Sequence, residues 1–207
     1  MLAKGSAQWI LGALAGALLS GGASHFFEGI ASQVLYAASV AGFGLTVFFL
    51  VFFRDPERMP AGSESDVISP ADGKVISVKD RTVCIFMNFD NVHVNRAPLS
   101  GTVKRIEYTG GSYIPAFNKD SLRNERNRIT FATAFGDIVV TQIAGIVTRR
   151  ITSYISEGNR VERGQRIGMI RFGSRVDTML PPDFECTVSA GSMVKAGETI
   201  IAKRVLH

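Results

Sequence analysis

Apolar positions are concentrated in the first quarter of the chain. From Trp9 to Ser24 nearly every residue is apolar or small, and from Val34 to Phe53 a run of 20 (VLYAASVAGFGLTVFFLVFF) carries no charge. A run of that length is enough for a helix to cross about 30 Å of hydrocarbon. The first run, of 16 residues, is nearer the short limit, and a re-entrant or tilted course against its neighbour is an open alternative. Between the two, SHFFEGIASQ brings in His25, Glu28 and Gln33, which suits a turn at a headgroup layer. The pattern predicts apolar helices over about 9–24 and 34–53, forming a transmembrane helical hairpin. Gly12, Ala13, Ala15, Gly16 and Ala17 would let the two helices approach closely. A cleaved signal peptide is the competing reading of the first run, although the second would still anchor the chain.

After Phe53 the pattern changes. RDPERMPAGSESD, residues 54–66, has the Pro, Gly and Ser content of a juxtamembrane linker. Short β-branched runs follow at Val75–Val78, Thr82–Met87, Gly101–Tyr108, Arg128–Ala132, Asp137–Ile143 and Val147–Ile155, each bounded by Gly, Pro, Asn or Asp. That rhythm predicts a mainly β domain over 67–207, with antiparallel strands. Two internal similarities sharpen the picture. Gly158 to Ile167 and Gly191 to Ile200 share the pattern G-x-x-V-x-x-G-x-x-I, 33 residues apart, and Pro70 to Val75 matches Pro98 to Val103. Glycines at that spacing make compact turns between short strands. Such turns recur in lipoyl- and biotinyl-carrier domains, so the expected architecture is a β-sandwich or barrel-sandwich with pseudo-symmetric halves.

Charge adds an asymmetry. Residues 1–53 hold only Lys4 and Glu28, so the net +5 rests on the other 22 Lys or Arg and 17 Asp or Glu. Lys4, Arg54 and Arg58 flank the outer ends of the apolar runs, which by the positive-inside rule puts both ends of the hairpin, and the β domain, on the cytoplasmic side of the cell's inner membrane. A basic domain tethered at a bilayer is drawn to anionic lipid. The basic residues are scattered with no aromatic-basic module, so a nucleic-acid partner is not expected. Cys84 and Cys186 lack partners at ligand spacing, so neither a disulfide framework nor a metal site is expected.

Few residues can carry chemistry. His25 lies in the hairpin turn and His207 at the end, so a histidine working near neutral pH would be His93. It could equally be a structural hydrogen-bonder. Asp72, in Ser-Pro-Ala-Asp-Gly, is as readily a turn residue as a functional carboxylate. Gly173-Ser174 follows the strand-like Arg166 to Ile170, and its bland reading is a bulge or turn. The pair also has a reactive possibility, since the Ser174 hydroxyl can attack the unhindered Gly173 carbonyl and form an ester that a base opens by β-elimination.

Taken together, these segments resemble the phosphatidylserine decarboxylases, specifically the short bacterial and archaeal class. The residues that carry the likeness are Phe53-Arg-Asp-Pro56, Ile68-Ser-Pro-Ala-Asp-Gly73, Ile85-Phe-Met87, Val92-His-Val-Asn-Arg-Ala-Pro98, Asn124-Glu-Arg126, Ile143-Ala-Gly145, Arg149-Arg-Ile151, the stretch Arg166 to Asp177, and Val194 to Ala202. They run in family order from 53 to 202.

The resemblance implies a proenzyme that cuts itself between Gly173 and Ser174. The products would be a large chain, 1–173, and a small chain, 174–207, with Ser174 converted to a covalent pyruvoyl group. That group would accept the amine of phosphatidylserine as a Schiff base and act as electron sink, releasing carbon dioxide and phosphatidylethanolamine. By the same resemblance His93 is the acid or base, Asp72 the carboxylate that orients it, and the processed heterodimer pairs into a dimer. Longer members of the family have a second histidine where this chain has Arg96, which leaves open the step that His93 serves. Arg96 and Asn95 are candidate substrate contacts, since a planar guanidinium suits phosphate or carboxylate. Arg149, Arg150, Arg171 and Arg175 are further headgroup candidates. The principal rival is a membrane-tethered lipoyl- or biotinyl-like carrier, against which stands the absence of lysine from 168–190.

Overall fold

A computed structural model describes residues 1–111, 124–145, 151–171 and 174–205. The chain divides into two units, Met1–Pro56 and Glu57–His207.

The first unit consists of α1 (Ala7–Ser24) and α2 (Gly29–Phe52). They run antiparallel, with the Trp9 ring edge-on to Phe49 at one end and the Ser32 hydroxyl donating to the Ser24 carbonyl at the other. At mid-length the Ser39 hydroxyl donates to the Ala17 carbonyl at 2.8 Å, and a Cβ on Gly42 would lie 2.9 Å from that of Ala17. The close approach therefore runs through Ala17, Gly21, Ser39 and Gly42. Gly12 and Gly16, expected at that contact, face open space. The turn is also shorter than the polar residues suggested, because Gly29 takes φ +64 and Ile30 to Gln33 already belong to α2. A single glutamine among helix-compatible residues does not stop a helix. Among the described helices α2 is the one long and apolar enough to cross a bilayer, with a mean hydropathy of 2.1. Its Ile30, Val34, Val40 and Val47 point outward.

The second unit is mainly β. Its strands are β1 (Val67–Ile68), β2 (Gly73–Lys79), β3 (Thr82–Met87), β4 (Val94–Arg96), β5 (Gly101–Thr109), β6 (Arg126–Thr133), β7 (Gly136–Ala144), β8 (Ile151–Ser153), β9 (Arg160–Val161), β10 (Arg166–Ile170), β11 (Ser174–Met179), β12 (Phe184–Cys186), β13 (Met193–Val194) and β14 (Ile200–Arg204). Eight of them form one sheet in the order β13-β2-β3-β11-β7-β6-β5-β9, and two three-stranded sheets have the orders β1-β14-β12 and β4-β10-β8. The pairings are antiparallel. Asp80 and Arg81, at φ 48 and 58, make the two-residue β2–β3 turn whose hand matches strand twist. Val75, Ile85, Phe131, Val140, Ile167 and Val176 lie in one continuous core.

The two G-x-x-V-x-x-G-x-x-I segments do take a similar local course. In each, the first glycine and the second have positive φ, and the chain passes from an edge of the large sheet to a three-stranded sheet, as β9 to β10 and as β13 to β14. The likeness extends to their partners. Val161 pairs with Gly101 and Val194 with Gly73, the Gly158 and Gly191 N–H groups donate to the Val103 and Val75 carbonyls, and β10 and β14 are each the central strand of a three-stranded sheet. Those partners belong to the matched stretches Pro98 to Val103 and Pro70 to Val75. The two segments lie at opposite edges of one eight-stranded sheet, whose order depends on pairings distant in sequence.

β11 sits in the middle of the large sheet, in register with β3 on one side and β7 on the other. Ser174, Val176 and Thr178 point to the buried side, while Arg175 and Asp177 pair with each other on the opposite face. The sequence showed no apolar run here, because only alternate residues of this strand are buried and two of the others are charged.

Candidate active site

Ser174 is the first residue of β11 and is wholly buried between its cross-strand neighbours Met87 and Ala144. Its hydroxyl donates to the Met87 thioether at 3.5 Å. Gly173, the other half of the expected cleavage pair, lies outside the described residues.

Asn95, on β4, is brought to the same sulfur. The antiparallel pairing of β4 with β10 sets Asn95 opposite Gly168, and its Nδ2 donates to Met87 Sδ at 3.7 Å. Its oxygen accepts from Gln142 Nε2 at 2.8 Å, and Gln142 Oε1 accepts from Asn127 Nδ2 at 3.0 Å. Gly168 makes room for this crossing. A Cβ there would stand 2.6 Å from the Thr152 carbonyl oxygen and 3.1 Å from Gln142 Nε2. Asn95 is thus held by protein amides within the interior rather than presented at the surface.

Asp72 precedes β2 and joins four segments. Arg58 grips it with both terminal nitrogens, Nη1 on Oδ1 and Nη2 on Oδ2 at 2.9 Å. Backbone N–H groups add to this, Ala196 to Oδ1 at 2.7 Å and Val92 to Oδ2 at 3.3 Å. A carboxylate so surrounded has its charge balanced and its lone pairs used. Arg58, which the charge pattern assigned to the membrane flank, is therefore a partner of the candidate carboxylate.

His93 is fully buried, one residue beyond the Val92 amide that Asp72 binds. Its Nδ1 lies 2.9 Å from the Asn91 carbonyl oxygen. A carbonyl only accepts, so in the neutral ring Nδ1 carries the proton and Nε2 keeps its lone pair. The contact of Asp72 with the histidine segment runs through the Val92 backbone.

Arg96 is also buried, with Nη1 donating to the Gly164 carbonyl at 3.0 Å. Gly197 lies against its stem, where a Cβ would come within 2.6 Å of Arg96 Cδ. Arg175 is gripped by Asp177 and also donates to Cys84 Sγ at 3.2 Å. Arg149 and Arg150 lie outside the described residues.

The sequence reading missed Met87, Gln142, Asn127 and Arg58. Met87 and Gln142 look like interior residues of ordinary strands, and only the register across β3, β11 and β7 sets Met87 opposite Ser174 and Gln142 opposite Val176. The one available signal was the presence of amides at Asn127 and Gln142 within otherwise apolar alternation.

The sequence profile described as phosphatidylserine decarboxylase matches residues 45–202. A putative archaetidylserine decarboxylase proenzyme of Methanosarcina mazei is 52% identical over 202 residues, which cover 98% of this chain and 96% of that protein. Its counterpart from Methanosarcina acetivorans is 50% identical, with the same coverage of each chain, 98% and 96%. A phosphatidylserine decarboxylase proenzyme of Streptomyces avermitilis is 48% identical over 205 residues, 97% of this chain and 92% of that protein.

Proposed function

The chain belongs to the phosphatidylserine decarboxylase family and is a decarboxylase, and from that premise we propose that it is a self-cleaving, pyruvoyl-dependent enzyme that removes carbon dioxide from the serine headgroup of a phospholipid. The observation that carries this reading is Ser174 at the start of a central strand, buried and bonded only to a thioether among the partners described for it. A hydroxyl in that setting is shielded from the bulk solvent that would otherwise compete with it or hydrolyse an ester.

Self-cleavage starts when the Ser174 oxygen adds to the Gly173 carbonyl carbon and the Gly173–Ser174 C–N bond breaks, giving an ester and a free amine. A base then takes the Ser174 Cα proton, the C–H electrons form Cα=Cβ, and the side-chain oxygen departs as part of the Gly173 carboxylate. Water replaces the amino nitrogen, which leaves as ammonia. His93, with Nε2 unprotonated, is the base we assign, and Asp72 fixes the segment that carries it.

The surroundings of Ser174 fit a carbonyl group: Met87 and Ala144 are uncharged neighbours, and the Asn95 carboxamide supplies an N–H donor beside them. Once formed, the pyruvoyl group supplies a carbonyl that takes up the substrate amine and accepts the electrons released with carbon dioxide. The remainder is positioning by this chain. The small chain, 174–207, stays bound because β11 lies between β3 and β7, and β13 and β14 pair with β2 and β1. Arg96 and Asn95 are assigned to the substrate side of the site, and two processed heterodimers to a dimer.

The apolar helix α2 supports membrane attachment. With Lys4 and Arg54 at the outer ends of α1 and α2, we assign the helical pair to the cell membrane and the β unit to its cytoplasmic face. The serine headgroup is common to phosphatidylserine and archaetidylserine, and both are assigned as substrate chemistry.

Intact-mass measurement of the detergent-solubilised protein, before and after borohydride, tests the reading. Two chains meeting at Gly173 and Ser174 are expected, the smaller lacking a free amine and gaining hydride at a keto terminus. Ser174→Ala should give one uncut chain without decarboxylation. Two normal chains from that variant would overturn the assignment.

A further inference from the structure

Three carboxamides form a directed line through the interior that ends on the sulfur touched by Ser174. Asn127 on β6, Gln142 on β7 and Asn95 on β4 are all buried, at 2%, 0% and 0% exposure. Each link has one sense. Asn127 Nδ2 donates to Gln142 Oε1 at 3.0 Å, so the Gln142 nitrogen faces the other way and donates to Asn95 Oδ1 at 2.8 Å. The Asn95 nitrogen is thereby turned to Met87 Sδ, at 3.7 Å, the same sulfur that takes the Ser174 hydroxyl at 3.5 Å.

This ending is chemically unusual. A thioether is a weak acceptor, and a buried carboxamide N–H is a good donor. Elsewhere along the line each donor meets an amide oxygen. The donor at the end is held on the poorest acceptor of the line, a sulfur it shares with an oxygen that must acquire negative charge. A hydrogen bond to a charged oxygen is about twice as strong as one between neutral groups, so the Asn95 N–H gains by exchanging sulfur for that oxygen.

We propose that Asn95 donates to the Ser174 oxygen as that oxygen leaves Cβ during self-cleavage, and that Gln142 and Asn127 are positioning residues that keep the Asn95 nitrogen turned toward it. The proposal rests on the self-cleavage reading above. In the elimination step the Cα–H electrons form Cα=Cβ, the Cβ–O bond breaks, and the oxygen keeps its electron pair as part of the Gly173 carboxylate. Charge therefore grows on the atom that shares the Met87 sulfur with Asn95, and a donor held on that sulfur has only to exchange it for the oxygen as the charge grows. Asn127, two hydrogen bonds from Asn95, acts on this oxygen only through orientation.

The test follows self-cleavage of the full chain, pulse-labelled in cell-free synthesis with nanodiscs, by gel and intact mass. Asn95→Ala is expected to persist as the uncut chain on the order of 10²-fold longer than wild type. It should accumulate as the ester, so hydroxylamine cuts it at residue 174 and leaves the larger chain as a hydroxamate. Asn127→Asp keeps size and shape but removes the first N–H of the line. Gln142 then turns its nitrogen to the carboxylate introduced on β6, and Asn95 turns its nitrogen to Gln142, presenting oxygen to Ser174. Orientation thus predicts slower cleavage for Asn127→Asp than for Asn127→Ala, whereas packing alone predicts the reverse order.

Folded Asn95→Ala that stays uncut in hydroxylamine, wild-type rates in Asn95→Ala or Asn127→Asp, or Asn127→Ala slower than Asn127→Asp would each overturn the proposal. Circular dichroism checks folding, and if Asn95→Ala does not fold, the two Asn127 variants decide by their order. Failure of the underlying reading is distinct: wild type itself would then remain uncut and borohydride-inert.

Discussion

Arg58 and Asp72 form a two-point ion pair in which the side chains are only 7% and 10% exposed. Arg58 comes from the segment before β1 and Asp72 from the residue before β2, and the Val92 and Ala196 amides complete the cluster. Removing one partner of a buried pair leaves the other charge uncompensated, at a cost of about 3–5 kcal/mol. Arg58→Ala should therefore unfold at markedly lower denaturant than wild type. In an Asp72→Asn background, where no charge is stranded, the same change should cost less than half as much. Equal costs in both backgrounds, measured by equilibrium unfolding of the detergent-solubilised chain, would show that the ion pair is not the source.

Gly73, next to this carboxylate, permits a sharper prediction. Its φ is +141, and a Cβ would stand 2.0 Å from the Phe86 carbonyl oxygen across the β2–β3 pair. Neither the backbone conformation nor the space admits a side chain. Gly73→Ala should therefore lose more than about 4 kcal/mol or fail to fold. The readout is the yield of monodisperse protein with a β-type circular dichroism spectrum. A near-normal yield would mean that the close approach of β2 to β3 is not required.

What could be read from sequence follows from range. Runs such as Thr82–Met87 and Gly101–Tyr108 announced strands because apolar content and turn residues are local. The apolar stretch ending at Phe53 announced a helix for the same reason. Ser174, His93 and Asp72 were legible as chemistry through a motif likeness, but their surroundings were not. Arg58 looked like a membrane-flanking cation until the fold set it on Asp72, and β11 escaped notice because Arg175 and Asp177 alternate with its buried residues. Met87 and Gln142 depend on register between strands some 30–100 residues apart in sequence, which no single-window pattern contains.

For His93 the geometry yields a kinetic expectation. With Nδ1 donating to Asn91, Nε2 is the basic nitrogen. General acid–base groups contribute roughly 10²–10⁴-fold. His93→Ala should cut itself at least about 10²-fold more slowly than wild type, followed by gel and intact mass, with carbon dioxide release per mole of cut protein measured separately so that processing and turnover are distinguished. Self-cleavage at the wild-type rate would remove His93 from that step.

Cys84 offers a check on the large sheet that is independent of catalysis. Burial pushes its thiol up to about 11, aided by Asp177, and these outweigh the opposing effect of Arg175. A raised thiol value means that the folded chain holds this proton more tightly than the unfolded one. Any stability contributed by this group is present below the ordinary thiol value and is lost as pH climbs from there through about 11. At pH 8 only roughly one Cys84 in a thousand is thiolate, the form that attacks disulfide reagents. Cys186 is only partly buried and its shift, also upward from burial, is smaller. Ellman's reagent at pH 8 should therefore label Cys186 first and leave Cys84 untouched until guanidinium unfolds the chain. A Cys186→Ser variant isolates the slow thiol. Prompt labelling of that variant in its folded state would contradict the packing of β3 against β11.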